Sequence, residues 1–224
     1  MLGFKKSHNM VLKMNVKTVK IKRVENELSQ NSYVVEFYNS CIVIDAGCSL
    51  EKIKETTNNP IKAIFITHGH FDHIKSIEEY DKLNVPIYAH KKILELLTDE
   101  IKNASLLFNQ PNRYKLKNIK FVEDNEIIEI EKHKLKSLHA PGHSIDSMCY
   151  LLDDELLFSG DTVFAVAVGR DDLPTGDTKE LIKSLSRILN LDYKILYPGH
   201  GIPSDKEEQK RNIPKFIDYL CKGE

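Results

Sequence analysis

The feature that most constrains this chain is a cluster of side chains that can bind a metal ion, placed directly after an apolar, β-branched run at residues 61–67. Four such side chains fall within six residues: His68, His70, Asp72 and His73. On an extended chain His68 and His70 point to the same side, and the turn that follows can bring the other two towards the same place. Imidazoles and carboxylates crowded in this way lose hydration, and a bound cation would compensate for that loss. The fold is therefore expected to place the end of this strand at a metal-binding cleft.

Three later segments repeat the same design, an apolar strand that ends at a glycine-containing turn with one possible ligand. They contain the sequences APGH, SGD and PGH, and they supply His143, Asp161 and His200. The ends of neighbouring strands in packed sheets converge on one cleft, where rigid elements can hold metal ligands. The candidate ligands are then five histidines and two aspartates. This composition suits zinc, and also iron or manganese, so we expect divalent metal ions as the cofactor.

Composition excludes several other classes of protein. The chain has 224 residues, 41% of them hydrophobic and 29% charged, which is enough apolar material for one domain with a sizeable core. A net charge of -1 supplies no field that would attract nucleic acid or an anionic membrane. No run approaches the roughly 18 apolar residues of a membrane-spanning helix, and no signal-peptide core develops at the N-terminus. We expect a cytoplasmic protein that acts on a small molecule, with its oligomeric state left open.

The order of β-rich and helical segments predicts an α/β fold. Strands are expected at 18–24, 32–38, 41–45, 61–67, 85–89, 119–122, 127–130, 135–139, 148–152, 155–159 and 194–197. Helical structure is expected at 50–57, 74–83, 90–107, 179–189 and 205–221. The strands form two blocks, each followed by helices, which suits two sheets packed face to face with helices on their outer faces. Residues 1–14 lack a clear period, so we expect a frayed extension there and a single domain at 15–224.

Five motifs occur in the order typical of one protein family: IDAG, THGHFDH, APGHS, SGDTVF and YPGHG. With them the chain resembles the metallo-β-lactamase superfamily over most of its length, and within that superfamily it is similar to small glyoxalase II-like hydrolases. The resemblance implies a four-layer αββα sandwich of two mainly antiparallel sheets, with the metals at one edge.

The resemblance also implies a role for each candidate ligand. The first metal would be held by His68, His70 and His143. The second metal would be held by Asp72, His73 and His200. Asp161 would bridge the two metals, and Asp45 in the IDAG motif would orient a ligand imidazole through its second nitrogen. An aspartate that only shapes the turn at the strand end is the alternative for Asp45.

Two divalent ions a few ångströms apart would lower the pKa of a shared water, and the resulting hydroxide would attack a carbonyl that one ion polarises. Asp72 and Asp161, which hold this centre, are the expected catalytic residues. A thioester suits such a site because its leaving thiolate needs no strong general acid. Only 24 residues follow His200, whereas full-length glyoxalase II proteins continue into a helical domain that grips glutathione. We therefore expect a small thioester whose thiol carrier is left open.

Arg170 lies in a loop that resembles a Gly-Arg-Asp stretch of the smaller glyoxalase II-like proteins. It could bind a carboxylate of the substrate through two hydrogen bonds. It could equally hold its own acidic loop together through Asp171, Asp172 or Asp177.

Two other activities of the same fold remain alternatives. One is a persulfide dioxygenase with a single iron held by two histidines and an aspartate. The other is a lactonase, which shares the His-x-His-x-Asp-His cluster. A binding module without catalysis would be expected to lose at least one metal ligand, and none is lost here.

Overall fold

The computed structural model describes residues 19–222, so the predicted extension at residues 1–14 lies outside the described part of the chain. Twelve strands form two six-stranded sheets. The first sheet contains β1 Lys20–Glu25, β2 Asn31–Glu36, β3 Cys41–Ile44, β4 Ile61–Phe65, β5 Ile87–Ala89 and β6 Ile119–Phe121. The second contains β7 Ile127–Ile130, β8 His133–His139, β9 Met148–Leu152, β10 Leu156–Gly160, β11 Ile195–Pro198 and β12 Ser204–Asp205. The α-helices are α1 Leu50–Lys54, α2 Phe71–Ile74, α3 Ile77–Asp81, α4 Ile93–Leu97, α5 Thr178–Asn190 and α6 Lys206–Lys222, and one 3-10 helix spans Ser105–Phe108.

Three separate apolar clusters define four layers. Alternate residues of β2 show the division: Val34 packs in the cluster that contains Ile53 of α1, whereas Val35 packs in the cluster between the sheets. The outer face of the second sheet packs against α5 and α6, for example through Leu185 and Ile213. Because successive strand residues face opposite sides, a strand buried on both faces supplies two cores at once. The predicted α/β sandwich with helices on both outer faces is confirmed.

The two sheets differ in strand direction. Four of the five strand pairs in the second sheet are antiparallel, as expected, and only β10 and β11 run parallel. In the first sheet β1, β2 and β3 pair antiparallel, but the three pairs from β3 to β6 are parallel. The prediction of two mainly antiparallel sheets is therefore wrong for the first sheet. Helical segments follow β3, β4 and β5, and a helical crossover returns the chain to the starting edge, so the next strand runs parallel.

The helix predicted at 74–83 is two short helices instead. The carbonyl of His73 accepts a hydrogen bond from the Ala46 N–H at 2.8 Å, and the Ser76 N–H donates to the Ala46 carbonyl at 2.9 Å. These bonds to the end of β3 take the place of intrahelical bonds, which ends α2 after one turn. The interruption fixes the metal-ligand segment against the first sheet.

Strand direction explains where the site lies. β3 and β4 run parallel, so Asp45 and His68 follow at the same edge of the first sheet. β10 and β11 also run parallel, which places Asp161 and His200 together at the edge of the second sheet. β8 is antiparallel to β9, which is antiparallel to β10, so the chain leaves β8 towards that same edge and His143. Within residues 19–222 no helix has both the length and the apolar character needed to cross a membrane.

Candidate metal centre

All seven predicted ligand side chains meet at this edge of the sandwich, in three overlapping groups. Within each group the ligand atoms lie within 4.8 Å of one another. The first ligand group is His68, His70 and His143. The second ligand group is Asp72, His73 and His200. A third group, which joins the two, contains His68, His73 and Asp161. The sequence prediction assigned these side chains to the same two sites and the same bridge, and as metal ligands they remain a proposal.

The distances show how closely the two ligand groups approach each other through Asp161. Its Oδ1 lies 3.2 Å from His73 Nε2, and its Oδ2 lies 3.4 Å from His200 Nε2 and 3.7 Å from His143 Nε2. In the second group Asp72 Oδ2 lies 3.0 Å from His200 Nε2. One carboxylate thus faces histidines of both groups.

Buried atoms without partners test whether the site fits metal ions. Among residues 19–222, His68 Nε2, His73 Nε2 and Asp161 Oδ1 are buried and have no hydrogen-bond partner. The last two lie 3.2 Å apart but are not aligned for a hydrogen bond. Buried polar atoms are normally satisfied, and leaving them unpaired costs free energy. Imidazole and carboxylate donors converging on one point fit zinc, iron or manganese, so the residues present fit divalent metal ions.

The remaining nitrogen of several ligand histidines is held by a second residue. His73 Nδ1 lies 2.8 Å from Asp45 Oδ2. His143 Nδ1 lies 2.7 Å from the carbonyl oxygen of Arg170, and His200 Nδ1 lies 2.9 Å from the carbonyl oxygen of Ser29. Because a carbonyl only accepts, Nδ1 carries the hydrogen in the last two histidines, and Nε2 is the atom that would bind a cation. In this structure Nε2 of His143 lies 2.9 Å from His70 Nδ1, and Nε2 of His200 lies 3.0 Å from Asp72 Oδ2.

Asp45 is fixed in this position by its own backbone and by a neighbour. Its φ of 62° lies in the left-handed region, which aspartate tolerates at a turn. Its Oδ1 accepts a hydrogen bond from the Thr67 N–H at 2.7 Å, while the Thr67 hydroxyl donates to Oδ2 at 2.8 Å. Asp45 is therefore both a turn residue and the partner of His73, so the two alternatives weighed for it occur together.

Electrostatics separates the two ligand groups. Burial lowers the pKa of each histidine in the first group: His70 falls to about 3, and His68 and His143 also fall below their usual value. Burial would also lower the pKa of His73, but the carboxylates of Asp161, Asp72 and Asp45 together raise it well above its usual value. The first group is thus a set of neutral imidazoles.

The acidic residues of the site and His200 follow the same electrostatics. Burial opposes ionisation of Asp72 and Asp161, but the neighbouring histidines, His73 above all, outweigh it and lower the pKa of both carboxyls. For His200, burial lowers the pKa, but the hydrogen bond to Asp72 and the charge of Asp161 raise it overall. The second group therefore combines ionised carboxylates with histidines that retain protons.

Two supporting residues were missed by the sequence reasoning. Asp146 is fully buried, and its carboxylate accepts hydrogen bonds from the Gly69 N–H at 2.8 Å and the Ser144 hydroxyl at 2.7 Å. It thereby ties the loop of His68 and His70 to the loop of His143. Gly199 packs so closely that a Cβ atom there would clash with Asp161 Oδ1. The glycine in the PGH sequence was a usable signal for the second contact, whereas no local pattern marked Asp146.

Arg170 lies at the rim of the site with its guanidinium turned to its own loop. Its Nε and one terminal nitrogen, Nη2, donate to the two carboxylate oxygens of Asp172 at 2.7 and 2.8 Å. Both side chains are exposed. The structure thus shows the loop-tying contact, with Asp172 as the partner among the three acidic residues considered.

An open cleft of about 450 Å³ leads to the ligand cluster. Five of the predicted ligands line its floor: His70, Asp72, His143, Asp161 and His200. The walls are largely apolar and come from three separate loops: Leu28, Ala104, Leu107, Phe108, Phe164, Val168 and Leu173. A small molecule with an apolar part can therefore reach the site.

An αββα sandwich with clustered histidines and aspartates at one edge defines a class of metal-dependent enzymes. The sequence model of the metallo-beta-lactamase superfamily matches residues 26–200, and the chain belongs to this superfamily. Among curated relatives, the probable metallo-hydrolase YqgX of Bacillus subtilis is 31% identical over 194 residues, which cover 83% of this chain and 92% of the relative. The probable metallo-hydrolase MJ0888 of Methanocaldococcus jannaschii is 35% identical over 192 residues, or 80% and 90% of the two chains.

Two solved structures are also similar. The B3 metallo-beta-lactamase BLEG-1 superimposes with a TM-score of 0.77 at 28% identity, covering 88% of this chain and 99% of that protein. TTHA1623, solved in a di-iron-bound form, gives a TM-score of 0.74 at 30% identity, with 86% of this chain and 98% of that protein covered. The superfamily identified from the motifs is therefore confirmed, and the chain is similar to two probable metallo-hydrolases.

Proposed function

We propose that this protein is a hydrolase that uses two divalent metal ions, with zinc as the resident metal, to cleave a small thioester in the manner of glyoxalase II-like enzymes. The observation that carries the substrate class is the set of ionisable groups lining the cleft. Apart from the candidate metal ligands, the only ionisable group among the lining residues that the structure describes is Arg170. The cleft thus offers no evident general acid for a poor leaving group.

This absence favours a thioester over an amide or an alkyl ester. A thiolate leaves without prior protonation because thiols are much stronger acids than alcohols or amines. Phosphodiesters would instead be expected to require cationic groups around the site. The lining residues supply one arginine, and Asp172 already binds it. A small neutral thioester fits the floor and the walls together.

The chain's own residues have definable roles in this reaction. Two bound divalent ions would supply a nucleophile at neutral pH by lowering the pKa of water, and they would polarise the carbonyl. His68, His70 and His143 would hold one ion, and Asp72, His73 and His200 the other. Asp161 would contact both.

Three residues outside the ligand set keep this site in place. Asp45 orients His73 through its Nδ1, and the carbonyls of Ser29 and Arg170 orient His200 and His143. The apolar walls would limit water around the reacting carbonyl.

Zinc suits this donor set because histidine nitrogen and carboxylate oxygen are its usual ligands when thiolates are absent. The similar protein TTHA1623 is described with two irons, and it supports the proposal of two metals rather than the choice of zinc. Metal analysis of protein purified without chelator should give two equivalents per chain. A reproducible single equivalent of iron would contradict the proposal and favour an iron dioxygenase.

A substrate panel tests the reaction. It contains S-lactoylglutathione, other acyl thioesters, a homoserine lactone, a β-lactam and a phosphodiester, and an oxygen-uptake assay with glutathione persulfide runs beside it. Thioesters should be hydrolysed with the highest kcat/KM, and chelation should abolish the activity. A preference for the lactone, the β-lactam or the phosphodiester would refute the substrate class, as would oxygen consumption with the persulfide.

A further inference from the structure

Exposed apolar side chains lie next to the ligand cluster. Leu107 is 65% exposed and Phe108 is 38% exposed, and both belong to the 3-10 helix Ser105–Phe108. Leu28 lies in the turn between β1 and β2, and Phe164 lies in the loop after Asp161. These four side chains, Leu28, Leu107, Phe108 and Phe164, are called the apolar wall below. Apolar surface left in water at the mouth of a cleft is a characteristic of ligand sites.

This apolar wall is attached to the segments that carry the ligands. The ring of Phe108 packs against Phe71, which lies between His70 and Asp72, at a centroid distance of 5.7 Å. The ring of Phe164 contacts that of His200 at 6.1 Å. These contacts fix the position of the apolar wall relative to the ligand cluster. A group that binds against the wall would therefore place the scissile bond at a defined distance from the metal site.

The cleft has few groups that could bind an anionic part of a substrate. The only cationic side chain that lines the cleft within the described residues, apart from the ligand histidines, is Arg170. Its guanidinium forms two hydrogen bonds with Asp172. A thiol carrier with several anionic groups would find little to bind, whereas a hydrocarbon chain would find apolar side chains from three loops.

We propose that the acyl group, rather than the thiol carrier, is what this cleft recognises, and that the preferred substrates are thioesters of apolar straight-chain or branched acids. The inference rests on the proposed function, since it names the substrate of the same site. The acyl chain lies against Leu28, Leu107, Phe108 and Phe164. Water adds to the carbonyl carbon and the carbon–sulfur bond breaks. One proton of the water goes to the leaving sulfur and the other to solvent, so the products are the carboxylate, the free thiol and a proton.

A kinetic series of N-acetylcysteamine thioesters, from acetyl to octanoyl, tests the inference on the metal-loaded enzyme. Each added methylene that becomes buried should raise kcat/KM about fourfold until the wall is covered. A flat or falling series would overturn the inference while leaving thioester hydrolysis established.

The 3-10 helix supplies a matched pair of variants. Leu107 lines the cleft, whereas its neighbour Leu106 is 50% exposed and does not line it. Leu107→Ser should reduce the octanoyl-to-acetyl ratio of kcat/KM about tenfold or more, because the wall loses most of one side chain. Leu106→Ser should keep the wild-type ratio. Equal ratios in the two variants would overturn the assignment of the wall.

A binding measurement separates this inference from the proposed function. Where no thioester is hydrolysed, calorimetry with butanoate, hexanoate and octanoate on the metal-loaded protein decides instead. Affinity that rises with chain length, and falls in Leu107→Ser but not in Leu106→Ser, would support the apolar site even though the proposed reaction had failed. Equal affinity for the three carboxylates would overturn the inference.

Discussion

The two ligand groups of the site differ in composition and in protonation: the first contains three histidines, and the second contains two histidines and an aspartate. In the first group, burial keeps the three histidines neutral. In the second group, carboxylates surround His73 and His200 and raise the pKa of both. A metal ion would enter the first group without displacing a proton, whereas it would have to compete with protons in the second.

The difference follows from what each group packs against. The first group is built from two loops, which Asp146 joins through Gly69 and Ser144. The second group lies against the end of β3, where Asp45 brings a further carboxylate to His73. Carboxylate density rather than ligand count therefore distinguishes the two groups, and variants that remove individual carboxylates should show it.

Removing the carboxylate shared by both groups should have the largest effect. Asp161→Ala should lower kcat by about 1000-fold or more, since a group that would hold both ions would also fix the electrostatics of the transition state. Stopped-flow or steady-state kinetics should be combined with metal analysis of the same sample. An Asp161→Ala enzyme that keeps near wild-type turnover and two metals would remove the basis for a shared carboxylate.

Substitution of Asp45 should weaken metal binding only at the second ligand group, and its effect should be smaller than that of Asp161→Ala. Asp45→Asn should weaken binding of the second metal equivalent about 10- to 100-fold, the usual effect of losing a partner that orients a ligand histidine. Asparagine also tolerates the φ of 62° and can still accept from Thr67, so the turn should be kept. Competition with a chelator of known affinity measures the change, and an equal loss at both equivalents would argue against two distinct groups.

Proton competition should give a smaller effect, visible as pH dependence. As pH rises from 6 to 7, the affinity for the second equivalent should increase about tenfold for each proton displaced, while the first equivalent should change little. Calorimetric titration in two buffers with different ionisation enthalpies counts the protons released. Proton release at the first equivalent and none at the second would reverse the comparison.

The metal-free protein should show the corresponding stability change. The folded-state pKa of His73 is raised, so its contribution to stability is complete below about pH 6.5 and is lost as the pH rises through the folded-state value. Denaturant unfolding of metal-free protein across this range should therefore show decreasing stability. Metal-loaded protein should not follow this decrease, because bound ions take the place of the proton.

Some features of the metal site could be predicted from the sequence, and others could not. The convergence of strand ends on one cleft, expected from the sequence, placed His68, Asp161 and His200 together. The structure adds the reason: β3 and β4 run parallel, as do β10 and β11, and parallel strands leave a sheet at the same edge. The break between α2 and α3 could not be predicted, since it depends on backbone hydrogen bonds to Ala46 from a distant part of the chain. Asp146 escaped notice for the same reason: its partner Gly69 is 77 residues away.

The apolar wall could not be predicted for a different reason. Leu106, Leu107 and Phe108 lie in the region 90–107 and just beyond it, where apolar residues at helical spacing predict helical structure. All three are exposed on a 3-10 helix. Periodicity records that residues share a face, but not whether protein, ligand or water covers that face.

Substitution of Arg170 should give the smallest effect among these predictions, because its side chain lies outside both ligand groups. Arg170→Ala should leave kcat unchanged and raise KM for a carboxylate-bearing thioester such as S-lactoylglutathione by less than about fivefold, since exposed ion pairs and rim charges contribute little. Alanine keeps the backbone carbonyl that accepts from His143, so the first ligand group should be intact.

Asp172→Ala is the informative partner, since it releases the guanidinium and should lower KM for the same substrate. A loss of kcat in Arg170→Ala, measured with both metals bound, would show that the guanidinium reaches the reacting centre. Arg170 would then contact the substrate during the reaction rather than only tie its own loop.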